Sequence, residues 1–207
     1  MLRRRVSVAV LLLLAGLIST YSITAQSAIY VQDAFSRTVT DGWGKAPTGG
    51  SYKLNGTAAN FDVSGSTGTI IVPKSGNSRT ALLTSVLARD VDFSFRVHTN
   101  KLASGGGQYV YAIARRVNSN TLYQGYLRVD AARKVYAGAT RLVGGTATAL
   151  SNEVVVPNLT HQTNTFLRMR IHLSGTNPTR IAIKIWPDGS ARASSPKVSP
   201  TLRISIA

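Results

Sequence analysis

Apolar and polar residues take turns along most of this chain. At 91–99, Phe93, Phe95 and Val97 alternate with Arg96 and His98, and at 166–173, Leu167, Met169, Ile171 and Leu173 alternate with Arg168, Arg170 and His172. The same rhythm runs through 179–186, where Ile181, Ile183 and Ile185 oppose Arg180, Lys184 and Trp186. At 122–130, Tyr123, Leu127 and Val129 oppose Gln124, Tyr126 and Arg128. A period of two belongs to strands, whose successive side chains point to opposite faces. Each stretch therefore predicts a strand with one face on a core and a basic face in water. The segment 108–117 is less regular. Placing Tyr109, Tyr111 and Ile113 on the core face carries Arg115 inward as well, so an edge position or a bulge is expected there.

Turn formers punctuate the remainder: Ser75-Gly76-Asn77, Gly105-Gly106-Gly107, Asn118-Ser119-Asn120, Gly144-Gly145 and Gly175-Thr176-Asn177-Pro178. Apolar runs between such turns recur every 8–12 residues or so, the spacing of a sandwich or barrel. Strands are predicted at 52–54, 61–63, 68–72, 80–86, 91–99, 108–117, 122–130, 135–143, 146–156, 166–173 and 179–186. No window carries the apolar stripe of a helix. The expected fold is an all-β antiparallel sandwich occupying residues 28–189 as one domain.

The start of the chain differs. A basic Met1 to Arg5 precedes the apolar run VSVAVLLLLAGLI at 6–18, followed by small and polar residues to Ala28. That run suits the core of a signal peptide and falls short of the roughly 20 residues a spanning helix needs. Residues 1–27 are expected to be a signal peptide, leaving a secreted or cell-surface protein with no transmembrane segment after cleavage.

Composition sharpens this picture. The chain has no cysteine, which excludes a disulfide framework and thiolate chemistry. Lys and Arg number 24 against 8 Asp and Glu. Three of those bases belong to the leader, so the exported part carries a net charge of +13. Such a surplus attracts anionic polymers. Asp33-Ala34-Phe35-Ser36-Arg37, Asp41-Gly42-Trp43-Gly44 and Thr48-Gly49-Gly50 stand near the start. Ser78-Arg79-Thr80-Ala81, Arg115-Arg116-Val117, Val143-Gly144-Gly145-Thr146 and the run from Gly175 to Trp186 follow in order.

Taken in that order, from Asp33 to Gly189, these motifs resemble the concanavalin A-like, laminin-G-like jelly-roll domains of secreted bacterial surface proteins. The resemblance implies a jelly roll and a carbohydrate-binding or adhesive role. It also implies a structural calcium ion, with Asp33 as the candidate ligand. Members of that family continue past the Trp–Gly turn with further strands, whereas this chain runs into Ala191-Arg192-Ala193-Ser194-Ser195-Pro196-Lys197. The expectation is a jelly roll without its closing strands and a basic Ser/Pro tail at 190–207.

Catalysis is not expected. Related glucanases flank the scissile bond with closely spaced acids, and glycoside hydrolysis needs two carboxylates. The single glutamate, Glu153, has Asn152 and Val154 beside it, and Asp90 and Asp92 open a strand without a third group. His98, His161 and His172 lack the context of a Ser-His-Asp site. The expected function is non-catalytic glycan binding. Tyr126 and Trp186 would stack on sugar rings, and His98, Arg116, Arg128 and Arg170 would bond hydroxyls or acidic groups. Two alternatives stay open: a structural or assembly module, or truncated fragment, of a larger surface protein with no small ligand, or an electrostatic binder of anionic cell-surface polymer. No nucleic-acid fingerprint is present.

Overall fold

The computed structural model describes residues 28–190 and the backbone of a strand at Leu202–Ile206. The expected signal peptide and most of the expected tail lie outside the described residues. Antiparallel strands account for nearly all regular structure, and the helical exception among the described residues is a 3-10 turn at Ala58–Asn60. No helix among them is long and apolar enough to cross a membrane. The chain divides into two compact units, Met1–Leu83 and Thr84–Ala207.

The first unit is a set of short hairpins. β1 (Lys45–Ala46) pairs with β2 (Gly50–Ser51), β3 (Lys53–Asn55) with a later strand, and β4 (Phe61–Ser64) with β5 (Thr67–Ile70). The partner of β3 is β6 (Thr80–Leu82). Their small core holds Ala46, Phe61 and Val63. Around it the rings of Phe35, Trp43 and Tyr52 meet edge-on or stacked at centroid distances of 5.1–6.1 Å. The Arg37 guanidinium closes this cluster by donating to both Asp33 carboxylate oxygens and to the Trp43 carbonyl.

The second unit is a two-sheet sandwich. In chain order its strands are β7 (Val91–Val97), β8 (Gln108–Asn118), β9 (Thr121–Val129), β10 (Lys134–Val143), β11 (Thr146–Ala149), β12 (Val154–Thr160), β13 (Leu167–Ser174), β14 (Thr179–Pro187) and β15 (Leu202–Ile206). A five-stranded sheet runs β11-β10-β9-β8, with β12 also paired to β10. A four-stranded sheet runs β15-β14-β13-β7. The stretch 146–156, expected as one strand, is two: β11 takes the 140–143 end of β10 and β12 the 134–137 end. β14, the last strand expected from the sequence, is paired with β15, which falls within the expected tail, from Thr179↔Ile206 to Ile183↔Leu202.

The core between the sheets is large on one side and small on the other. The four-stranded sheet contributes Leu167, Met169, Ile171, Leu173, Ile181, Ile183 and Ile185, each at most 4 % exposed. The facing sheet contributes mainly Ala112, Ala114, Ala137 and Ala139 with Leu127, Val129 and Val135. At Gly125 the two sheets come close together. A Cβ built there would lie 2.7 Å from Ile183 Cδ1 and 3.0 Å from Ile171 Cδ1, inside van der Waals contact.

This complementarity corrects the expected facing of β8. Ala112 and Ala114 point inward with Val110 packed against the core, while Tyr109 and Tyr111 face out. Two phenol rings do not fit where the opposite sheet already supplies bulky side chains. The irregularity expected near Arg115 is present: the β8–β9 register shifts between Ala114 and Asn118, and Arg115 has φ 42°. β8 also ends its sheet. The Arg115 side chain donates to Arg89 O (2.9 Å), Thr179 Oγ1 (3.0 Å) and Asp90 Oδ1 (3.1 Å).

Candidate functional site

The residues expected to bind ligand do not form one site. Tyr126 and Arg128 lie on the outer face of the five-stranded sheet, whereas Arg170 and Trp186 lie on the outer face of the four-stranded sheet. His98 sits just past β7, its ring edge-on to Phe166 at 4.4 Å, beside a small apolar cavity that His161, Val110 and Leu167 also line. Arg116 is exposed in the irregular end of β8. Alternation tells which face of a strand is wet but not which sheet the strand joins, so four basic-faced strands read as one surface are in fact two.

The outer face of the five-stranded sheet carries an aromatic cluster. Register places Tyr111, Tyr126 and Gly138 side by side on β8, β9 and β10, and Tyr109, Arg128 and Tyr136 in the next row. Gly138 leaves room for the Tyr126 phenol to lie across it, since any Cβ there would overlap the ring. Tyr126 is therefore buried although it faces outward, at 7 % exposure. On this base stand Tyr109 and Tyr111, 47 % and 44 % exposed, their rings 5.9 Å apart and within 9° of parallel. Tyr126 is tilted against both at 5.7 Å.

Beside the rings is a fixed polar pair. Arg128 Nε donates to Glu153 Oε1 and Oε2 at 2.9 and 3.0 Å, and its guanidinium lies 3.9 Å from the centre of the Tyr136 ring. Tyr136 in turn donates to Asp130 at 2.8 Å. The hydrogen bonds that Arg128 donates hold the Glu153 carboxyl below the usual range, and the same bonds raise Arg128. Burial, with the Glu153 charge nearby, pushes the Tyr126 phenol up, so it stays protonated and donates to Glu153. The face thus presents two half-exposed rings and a hydrogen-bonding rim held at defined positions. Sequence reasoning found Tyr126 and Arg128 but missed Tyr109 and Tyr111, because it turned β8 inward. It also passed over Glu153, which reaches this face from the loop before β12.

Three further acids singled out by the sequence are engaged in structure. Asp92 accepts from Arg170 and lies 3.6 Å from His172, and Asp90 accepts from Arg115 and from the Gly175 N–H. Asp33, the expected calcium ligand, receives Arg37 through both oxygens together with the Phe35 N–H and the Tyr52 hydroxyl. A cation at Asp33 would have to displace that guanidinium, so the arrangement suits Arg37 and not a metal. No three His, Cys, Asp or Glu side chains cluster as metal ligands among the described residues. Compared with protein families, curated proteins and solved structures, the chain matches none.

Proposed function

We propose that this chain is a non-catalytic, exported carbohydrate-binding or adhesion module whose glycan lies across the outer face of the five-stranded sheet. The observation that carries the reading is the pair of half-exposed, nearly parallel rings of Tyr109 and Tyr111, seated on buried Tyr126 beside the Arg128–Glu153 pair. Sugars present C–H faces that lie against aromatic rings and hydroxyls that need a donor and an acceptor at their edge, and this face offers both. Rigid aromatics provide contact area at small entropic cost. The order of motifs between Asp33 and Gly189 that resembles concanavalin A-like domains points the same way, and the leader at 1–27 supports export.

A glycan array probed with the full chain and with a Tyr109→Ala/Tyr111→Ala variant tests it. The expected result is retention of a defined subset of glycans, with affinity for them at least about tenfold weaker in the variant, equivalent to about 1.4 kcal/mol. A blank array would favour a structural module without ligand, and unchanged binding by the variant would place the glycan elsewhere.

A further inference from the structure

The two outer faces of the sandwich differ in chemistry. The tyrosine face carries balanced charge: Arg128 is paired with Glu153, and Lys134 and Asp130 stand in line beyond them. The outer face of the four-stranded sheet carries Arg96, Arg168, Arg170, Arg180 and Lys184, with Asp92 and Asp188 as its acids. Register orders the cations. Arg96, Arg168 and Trp186 form one row across β7, β13 and β14; Ser94, Arg170 and Lys184 form the next; Arg180 lies at the far end of β14 opposite Ser174. One acid, Asp188, follows β14 beside the first row, and the other, Asp92, lies opposite His172 in the row between those of Lys184 and Arg180. Asp188 binds Arg168 at 2.7 Å and Arg96 at 3.7 Å, and Asp92 holds Arg170.

From this arrangement we infer a second binding surface, for a linear acidic polysaccharide bearing carboxylates. Charge complementarity is the first argument: five cations against two acids on a wet sheet face attract a polyanion. The second is geometry already visible in the fold. Arg168 and Arg170 show the mode, each meeting a carboxylate of the chain itself through the planar guanidinium edge, and the exposed Arg180 carries the same edge for a uronate. Trp186, in the same row as Arg168, offers a ring for a sugar to lie against, with Lys184 Nζ 5.8 Å from its centre. A nucleic acid fits less well. The face has no element to enter a groove, and of its aromatic rings Phe166 is already covered by the Arg96 guanidinium at 4.5 Å, where base-stacking surfaces present several open rings in succession. The inference does not rest on the tyrosine face, which lies on the other side of the sandwich.

The test uses the full chain with polygalacturonate, neutral dextran and a random single-stranded oligonucleotide, from about 50 to 200 mM salt. Polygalacturonate should bind and dextran should not, with affinity falling linearly in log–log form as salt rises. Arg180→Gln/Lys184→Gln should lower the affinity at least about tenfold and flatten the salt slope. Lys101→Gln/Lys134→Gln, which removes the same charge elsewhere, should stay within about twofold of the parent. Tyr109→Ala/Tyr111→Ala should bind polygalacturonate as the parent does, which separates failure here from failure of the tyrosine-face reading. Thermal melts check that each variant folds, and the single change Arg180→Gln gives a second measurement at an exposed position. Equal losses in the two charge variants would reduce the effect to net charge and overturn the inference. Absence of polygalacturonate binding, or tighter retention of the oligonucleotide, would do the same.

Discussion

His161 is 2 % exposed, and its hydrogen bonding fixes its protonation state. The Thr99 hydroxyl gives its one proton to Lys101 O at 3.0 Å, so its oxygen must accept from His161 Nε2, also at 3.0 Å. The imidazole is therefore the neutral Nε2–H tautomer, and Nδ1 is buried without a protein partner among the described residues. Burial pushes its pKa below the ordinary 6.5. In the unfolded chain the same ring binds a proton near pH 6.5, so on acidification the unfolded state takes up protons first. The stability His161 contributes is complete above about pH 6.5 and is lost as the pH falls below it. The carboxyls of Asp33, Asp92, Glu153 and Asp188 are held below their usual values, so their share is lost only as the pH falls below about 4. Thermal melts should show a decline between pH 7 and 5 that precedes the carboxylate-linked drop, and His161→Gln should flatten the first decline while leaving the second. A parent melting temperature constant from pH 7 to 5 would refute this account. Nothing in the sequence marks His161, since a lone histidine among polar residues carries no signal of burial.

Strands were legible where one face is uniformly apolar. β7, β13 and β14 appear with the expected facing because each sets phenylalanine, isoleucine or leucine against charged residues. β8 was not, because size matters as well as polarity. Its tyrosines are the bulkier apolar choice, yet its alanines occupy the core, since β13 and β14 already fill the space. Pattern along one strand holds no information about the volume offered by its partner sheet. The split of 146–156 into β11 and β12 was hidden for a related reason: only pairing with opposite ends of β10 reveals it. Gly125 tests the volume argument. Gly125→Ala pushes a methyl group between Ile171 and Ile183, where overpacking costs typically about 1–3 kcal/mol. Chemical denaturation should show that loss, and Gly125→Ala/Ile183→Val should recover part of it. A neutral Gly125→Ala, or no recovery in the pair, would mean that the two sheets yield at this point.

At the scale of the whole molecule, the sequence disclosed an all-β chain but not its division into two compact units, because no linker composition sets them apart. The division has an energetic consequence. In the first unit the buried apolar residues are Ala46, Phe61 and Val63, whereas the second holds a continuous cluster that includes Met169, Ile171, Leu173, Ile181, Ile183 and Ile185. Buried apolar area stabilises by roughly 25 cal/mol per Å², so the second unit should be the more stable. The chain's 2 tryptophans fall one to each unit, which makes the difference measurable. Trp43 packs edge-on against Phe35, Tyr52 and Phe61 and donates to Thr69 O at 2.9 Å, so its fluorescence reports on the first unit. Trp186 lies on the outer face of β14 and reports on the second. In Trp186→Phe the remaining signal is that of Trp43, and its midpoint should fall several degrees, about 5 °C or more, below the midpoint read from Trp186 in Trp43→Phe. Calorimetry of the parent should resolve the same two transitions. One common midpoint by both methods would show instead that the two units unfold as a single cooperative body.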